Sequence, residues 1–475
     1  MTAGRRPRLS LDIAGPVLFV VAARWSTIVS RAPLTYDDGV YLASVVAMRS
    51  GGLPYRDVFS SQGPLFLPLL WLGDVVVNAS GWAPWAPRLV PLAGAIVLTV
   101  LAHRVALRMT DRIGAAVAAA AVATSGTLFL TSTSVASDTV AAAFAGGALA
   151  AAAGVTPRAG RGRLVVVAVL IGSALAVKSG LVAGPAVAVV WLVARRRGWT
   201  TGAVVAAGAL LTIVAVSVPW GLGNVVDQFV GLHLDSRRGY DTRRNVGLLR
   251  EAVWRQDRPF VVLIALAAGW AIVDRIRRST APAAGAPPGD GLVTALWLWA
   301  GIAIAVLLWH HPLFVQHLTV LVFPAALLLA RYRPPAVAIA VVAALLLVAH
   351  GGRADFRLTQ EHPTPSEAEA VRLLRAIEPA DGLVITDAQG LAWLAGRGVP
   401  GPLVDTSHER FHAGSLSGDD IVAAADDPEV CAVLIWTGRL RRLGRLHLDL
   451  PEYRQVWADG GRSLLLRDRC RLGAG

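Results

Sequence analysis

The 475 residues are 55% hydrophobic, with a mean hydropathy of +0.55 and a formal net charge of +13. A chain this apolar does not read as one soluble domain but as a protein that crosses a membrane several times. The excess charge sits in short arginine clusters between apolar runs, the pattern of basic residues held on the cytoplasmic side, so the charge does not imply a nucleic-acid partner.

In chain order, Arg5, Arg6 and Arg8 precede an apolar run over 11–30. It lacks a small-residue cleavage site and reads as a first span, not a removed signal peptide. The first outer loop, 32–87, follows. It opens with Tyr36-Asp37-Asp38-Gly39-Val40-Tyr41 and continues through Tyr55-Arg56-Asp57 and Gln62-Gly63-Pro64. Two adjacent carboxylates at a membrane edge are costly unless solvated or used. The spacing predicts a helix over 38–49, with Tyr41, Val45 and Met48 on one face, lying along the membrane surface. The run 64–77 carries Pro68 and Asp74. With about 14 residues it is too short to cross a ~30 Å core and reads as a juxtamembrane or re-entrant helix.

Further spans are predicted over 88–108, 113–131, 136–154, 163–178, 180–194, 200–220, 259–276, 291–309, 312–330 and 334–350, about 11 with the first. The arginine clusters then share a cytoplasmic side with the N-terminus, and the first loop and the C-terminus lie outside. The pair 163–178 and 180–194 requires a hairpin turning at Lys178-Ser179-Gly180. Each arm has about 15 residues, about 22 Å of helix against a ~30 Å core. The turn is therefore recessed, where irregular backbone is tolerated if it lines a cavity. Lys178, the only lysine of the chain, is expected to point into an outward-facing pocket, the alternative being a snorkelling side chain. Asp138 follows an outer turn and either caps a helix or faces a site. Arg237, Arg238, Arg243 and Arg244 break the basic-inside pattern in the outer loop 218–259; either they meet an anion there or they pair with nearby acids and lipid phosphates. His310, His311 and His317 lie at the turn that opens the span 312–330, at spacings unlike those of a metal site.

Beyond 351 the charged residues rise. A capping box at Ser366–Glu369, strands over 382–387 and 430–436 and a hairpin around Asp459-Gly460-Gly461 predict a small extracytoplasmic α/β domain over 352–475. Without a G-x-G-x-x-G it is assigned no nucleotide. Asp405-Thr406-Ser407-His408-Glu409-Arg410 has the residue types of a catalytic triad but no nucleophile elbow. Cys431 and Cys470 either pair or remain free thiols.

The order D-D/E-G-x-Y, then G-x-x-x-Y-R-D, then a proline-led apolar run resembles the first outer loop of the GT-C membrane glycosyltransferases, among them bacterial protein O-mannosyltransferases and the aminoarabinose transferases of lipid A modification. The likeness covers the membrane half. It implies a polytopic α-helical domain over 1–351 in a bacterial cell membrane. It also implies transfer of a hexosyl or pentosyl group, with inversion, from a polyprenyl-phosphate donor to a hydroxyl acceptor on a protein, glycan or lipid. By this resemblance Asp37 is the base, and Asp38 orients it or binds the acceptor. A phosphate leaving group needs no protonating acid, so one carboxylate suffices, unlike the pair used in glycoside hydrolysis. Lys178, Arg56, Arg237 and Arg238 are the candidates for the donor phosphate. Tyr41, Tyr55, Asp57, Gln62, Asp138, His311 and His317 are the other substrate-site candidates. Relatives often carry a basic residue before the proline at 64, where Gln62 supplies no charge. Metal use stays open, since some GT-C enzymes take a divalent metal and others do not. The competing readings are a transporter, which also places broken helices and charge near the midplane but usually shows internal repeats not evident here, and an inactive scaffold of the same fold.

Overall fold

The computed structural model describes residues 11–29, 35–78, 83–158, 160–235, 242–258, 269, 290–310, 312–332, 364–442 and 450–473. Arg5, Arg6, Arg8, Arg237, Arg238, His311 and the predicted spans over 334–350 and 259–276 (but for Gly269) lie outside them. Helix α1 (Leu11–Val29) leads to α2 (Tyr36–Arg49) and α3 (Phe66–Val77) in the first loop. Then come α4 (Leu89–Ala106), α5 (Arg112–Thr124), α6 (Gly126–Thr133), α7 (Ser137–Ala152), α8 (Arg161–Val177), α9 (Ala183–Arg197) and α10 (Trp199–Ser217). Short helices α11 (Leu222–Val225) and α12 (Leu232–Asp235) flank a π-helical turn at Val226–Gly231, followed by α13 (Thr242–Gln256), α14 (Asp290–Trp309) and α15 (Thr319–Arg331). Every predicted span on described residues has helix over it. Among the described residues three helical stretches, Ala86–Ala106, Trp199–Trp220 and Gly291–Trp309, are long and apolar enough to cross a membrane by length and composition alone.

The span expected over 113–131 is not continuous. Its two helices, α5 and α6, meet at Ser125 with a bend of 55°. A broken helix in an apolar bundle must have its freed backbone groups satisfied. Arg24 of α1, wholly buried, donates from Nη2 to the Ala123 carbonyl (3.1 Å) and from Nε to Ser132 Oγ (2.6 Å). On the other half, Asp257 accepts from the amides of Gly126 (2.8 Å) and Thr127 (3.1 Å) and from the hydroxyls of Ser125 and Thr127. The freed carbonyl meets a cation and the freed amides meet an anion, as the helix dipole favours.

From Thr364 onward lies an α/β region. Its first helix, α16 (Pro365–Arg375), is capped by Thr364 with Glu367, two residues before the expected box. Strand β1 (Ile377–Glu378) pairs with β6 (Arg471–Leu472). The main sheet has the order β2-β3-β5-β4, with β2 (Leu383–Thr386), β3 (Val430–Ile435), β4 (Tyr453–Asp459) and β5 (Arg462–Arg467). Strands β2 and β3 are parallel, in register Val384 to Ala432, and the connection between them carries α17 (Gln389–Leu394), α18 (His408–His412) and α19 (Gly418–Ala425). The expected hairpin joins β4 to β5 through Gly460 and Gly461, both at positive φ. Cys431 and Cys470 form a disulfide.

Helix α2 covers the predicted 38–49 and is buried on more than the one expected face: Asp38 to Val45 are all buried, and α17 of the α/β region packs on it. The approach is so close that a Cβ on Gly39 would stand 2.5 Å from the Gly390 amide nitrogen. The first loop is thus held between the helical bundle and the α/β region.

Candidate active site

The first turn of α2 decides the two carboxylates. Thr35 caps it, accepting from the Asp38 amide (3.1 Å). Consecutive residues on a helix point about 100° apart, so Asp37 and Asp38 diverge. Asp38 turns into the protein, where Oδ2 meets Arg88 Nη2 at 2.6 Å and Oδ1 accepts from the Val135 amide at 2.7 Å. Both side chains are 0% exposed. Asp38 is therefore not placed to touch an acceptor; its partners are structural. Asp37 turns the other way, into a cavity of about 500 Å³. There Oδ2 accepts from Gln316 Nε2 (3.0 Å), while Oδ1 has no hydrogen-bond partner among the described residues.

Lys178 lines the same cavity. Helix α8 ends at Val177, and Lys178 takes extended backbone (φ −156°) before the chain turns into α9. Its Nζ pairs with Asp138 Oδ2 at 2.8 Å, and Asp138 Oδ1 is buried with no hydrogen-bond partner among the described residues. The Gln62-Gly63-Pro64 turn docks on this helix end: the amides of Gly63 and Leu65 donate to the carbonyls of Val177 and Ala176. A Cβ on Gly63 would fall inside the Ala176 carbonyl, so only glycine allows this approach. Gln62 reaches the cavity, and its Oε1 accepts from Ser137 Oγ (2.8 Å). Tyr41 lines the cavity too, edge-on to Phe66, as does His317, whose ring meets those of His310 and Phe314.

Other candidates lie elsewhere. Tyr55 is buried at φ 64°, its hydroxyl bonded to the Gln62 carbonyl and its ring packed with Val225 and Phe229. It supports the turn but does not face the cavity. Arg56 and Asp57 are exposed and line a separate, adjoining pocket, so Arg56 does not share a site with Lys178. Arg243 and Arg244 are exposed on α13.

Sequence reasoning missed several wall residues: Gln316, His233, His310, and from the α/β region Asp405, Ser407, His408, Glu409 and Arg439. The polar run 405–410 was the one available signal, and it marks a cavity wall, not a triad. Burial, with Asp405 adding to it and Asp138 and Glu409 contributing less, pushes the Asp37 carboxyl up to about 6, against the pull of Lys178. A general base must be ionised, so a reaction that used Asp37 as its base would fall about tenfold per pH unit below about 6, where an ordinary aspartate would hold to about 4. A kcat/KM profile from pH 5 to 8 checks this; a flat profile down to pH 5 contradicts it.

No family model matches the sequence, and no curated protein does. Solved structures do resemble the fold. ArnT from Cupriavidus metallidurans bound to undecaprenyl phosphate superposes with a TM-score of 0.63 at 16% identity, over 96% of this chain and 97% of that one. The fold is that of the GT-C glycosyltransferases. The Archaeoglobus fulgidus oligosaccharyltransferase in complex with Zn and sulfate shares the GT-C fold at a TM-score of 0.54 and 13% identity, over 96% of this chain and 73% of that one. AglB from the same organism, in complex with an inhibitory peptide and a dolichol-phosphate, gives 0.51 and 12%, over 94% and 72%. Among the described residues, no three His, Cys, Asp or Glu side chains gather into a group that fits a metal ion.

Proposed function

We propose that the protein transfers a sugar from a polyprenyl-phosphate donor to a hydroxyl acceptor on the outer side of a bacterial cell membrane, inverting the anomeric centre. One observation carries this reading: Asp37, with an oxygen lacking any hydrogen-bond partner among the described residues, and Lys178, the chain's only lysine, line one cavity. The acceptor hydroxyl gives its proton to Asp37 as its oxygen attacks the anomeric carbon. The bond from that carbon to the phosphate oxygen breaks on the opposite face, and the phosphate leaves with the electron pair. Lys178 exchanges Asp138 for that phosphate and stabilises its charge. The undecaprenyl phosphate of the ArnT structure and the dolichol-phosphate of the AglB structure support a lipid-phosphate donor. About eleven spans, a cytoplasmic N-terminus and an extracytoplasmic domain over 352–475 belong to this reading. The Cys431–Cys470 disulfide supports an oxidising compartment for that domain.

The test is binding of undecaprenyl phosphate to the purified full-length protein in nanodiscs. Lys178→Met keeps the length and removes the charge. It should weaken binding more than ~10-fold, since a charge-assisted hydrogen bond is worth about 1.5–3 kcal/mol. Lys178→Arg should rescue in part, because a planar fork fits a point-charge site poorly. Unchanged affinity for Lys178→Met would remove the phosphate from this cavity and the reading with it.

A further inference from the structure

The lipid tail of a polyprenyl-phosphate donor stays among the membrane helices, and those helices supply Lys178. The wall supplied by the α/β region is left for the acceptor. It is tied to the helix that carries the base. The Tyr36 hydroxyl donates to Asp405 Oδ1 (3.1 Å) and accepts from the Thr406 amide (2.9 Å), and the Arg439 guanidinium lies 3.7 Å over the Tyr36 ring. Asp405 Oδ1 also accepts from the Ser407 amide (2.9 Å). The carboxylate of Glu409, half-buried on the same wall, makes no hydrogen bond with any described residue, while its main-chain carbonyl accepts from the Ala413 amide (2.9 Å).

We propose that the segment Asp405–Glu409 is the acceptor-binding wall of the active site, and that the acceptor is a neutral carbohydrate offering hydroxyl groups. This deepens the reading above and rests on it. Ionised carboxylates accept hydrogen bonds and donate none. Asp37, Asp405 and Glu409 therefore offer acceptor oxygens to sugar hydroxyls, with Arg439 as the cation on that wall. Among the described residues a phosphate ester would meet three carboxylates against one guanidinium, since Lys178 is committed to Asp138 or to the donor. An extended peptide would seek a strand edge, and neither edge strand of the main sheet, β2 nor β4, contributes to the cavity. A second cavity of about 310 Å³ adjoins the first at Leu232, which lines both. Arg56, Asp57, Asp227 and Asp235 give it a polar lining suited to a further sugar unit.

The test is saturation-transfer NMR on the full-length protein in nanodiscs. The probes are methyl α-mannopyranoside and maltotriose as neutral sugars, glucose 1-phosphate as the phosphate ester, and a threonine-alanine repeat peptide. The neutral sugars should receive saturation, and the phosphate ester and peptide should not. Glu409→Gln should weaken maltotriose binding at least about fivefold and leave undecaprenyl phosphate affinity within about twofold. Asp405→Asn is the second variant and should act in the same direction. The proposal is overturned if glucose 1-phosphate or the peptide binds as well as the neutral sugars, if no probe binds, or if neither variant alters maltotriose binding. In each case persisting undecaprenyl phosphate binding leaves the donor reading standing, and its absence from the wild type removes that reading separately.

Discussion

Asp37→Asn should lower sugar transfer by about 10²–10⁴-fold, the usual contribution of a positioned general base. The amide cannot take the acceptor's proton, yet its oxygen can still accept the hydrogen bond from Gln316 Nε2. The fold should survive, because the substitution relieves a carboxylate whose ionisation burial and Asp405 already oppose. Transfer from a purified polyprenyl-phosphate sugar, measured beside thermal stability, separates the two effects. Near-full turnover in the variant would mean that another group is the base.

Asp38→Asn should do the reverse, costing stability first. Asp38 and Arg88 form an ion pair without solvent contact, extended by the Val135 amide to the turn before α7 and by the Arg88 guanidinium, 5.7 Å over the Trp393 ring, to the α/β region. Removing one charge strands the other in the interior, which costs about 3–5 kcal/mol. The variant should unfold in detergent at a clearly lower temperature than Asp37→Asn, and so should Arg88→Leu. A double variant that removes both charges should recover part of the loss, since an apolar pair replaces a buried ion pair at little cost. Equal stability of the two single aspartate variants would contradict the division of labour between these neighbours.

That division was out of reach of the sequence. Adjacency made Asp37 and Asp38 look like a working pair, and only Arg88 and Val135, from distant parts of the chain, show which one is structural. The break at Lys178 was legible, because two arms too short to cross force a turn at depth whatever their neighbours. The break at Ser125 was not: the run over 113–131 has an ordinary span's length, and its repair by Arg24 and Asp257 is tertiary. Tyr55 and Arg56 sit in the same motif as Asp37, yet one supports the turn and the other leaves the cavity. Motif proximity does not fix direction. The pairing of the two cysteines stayed open because a separation of 39 residues carries no geometry, and β3 brings Cys431 beside Cys470 only once the sheet exists.

The contact of Gly39 with Gly390 also dictates a schedule. At about 5–20 residues per second, synthesis separates these two glycines by roughly 20–70 s. Through that interval α2 has been made while α17, which covers it, has not. Tyr36 waits longer still for Asp405, 369 residues away. The first loop is thus among the earliest segments made and among the last to reach its final shape. A chain stopped short of the α/β region would keep its helices and still lack a finished Asp37 environment, because Asp405, Glu409 and Arg439 complete that cavity.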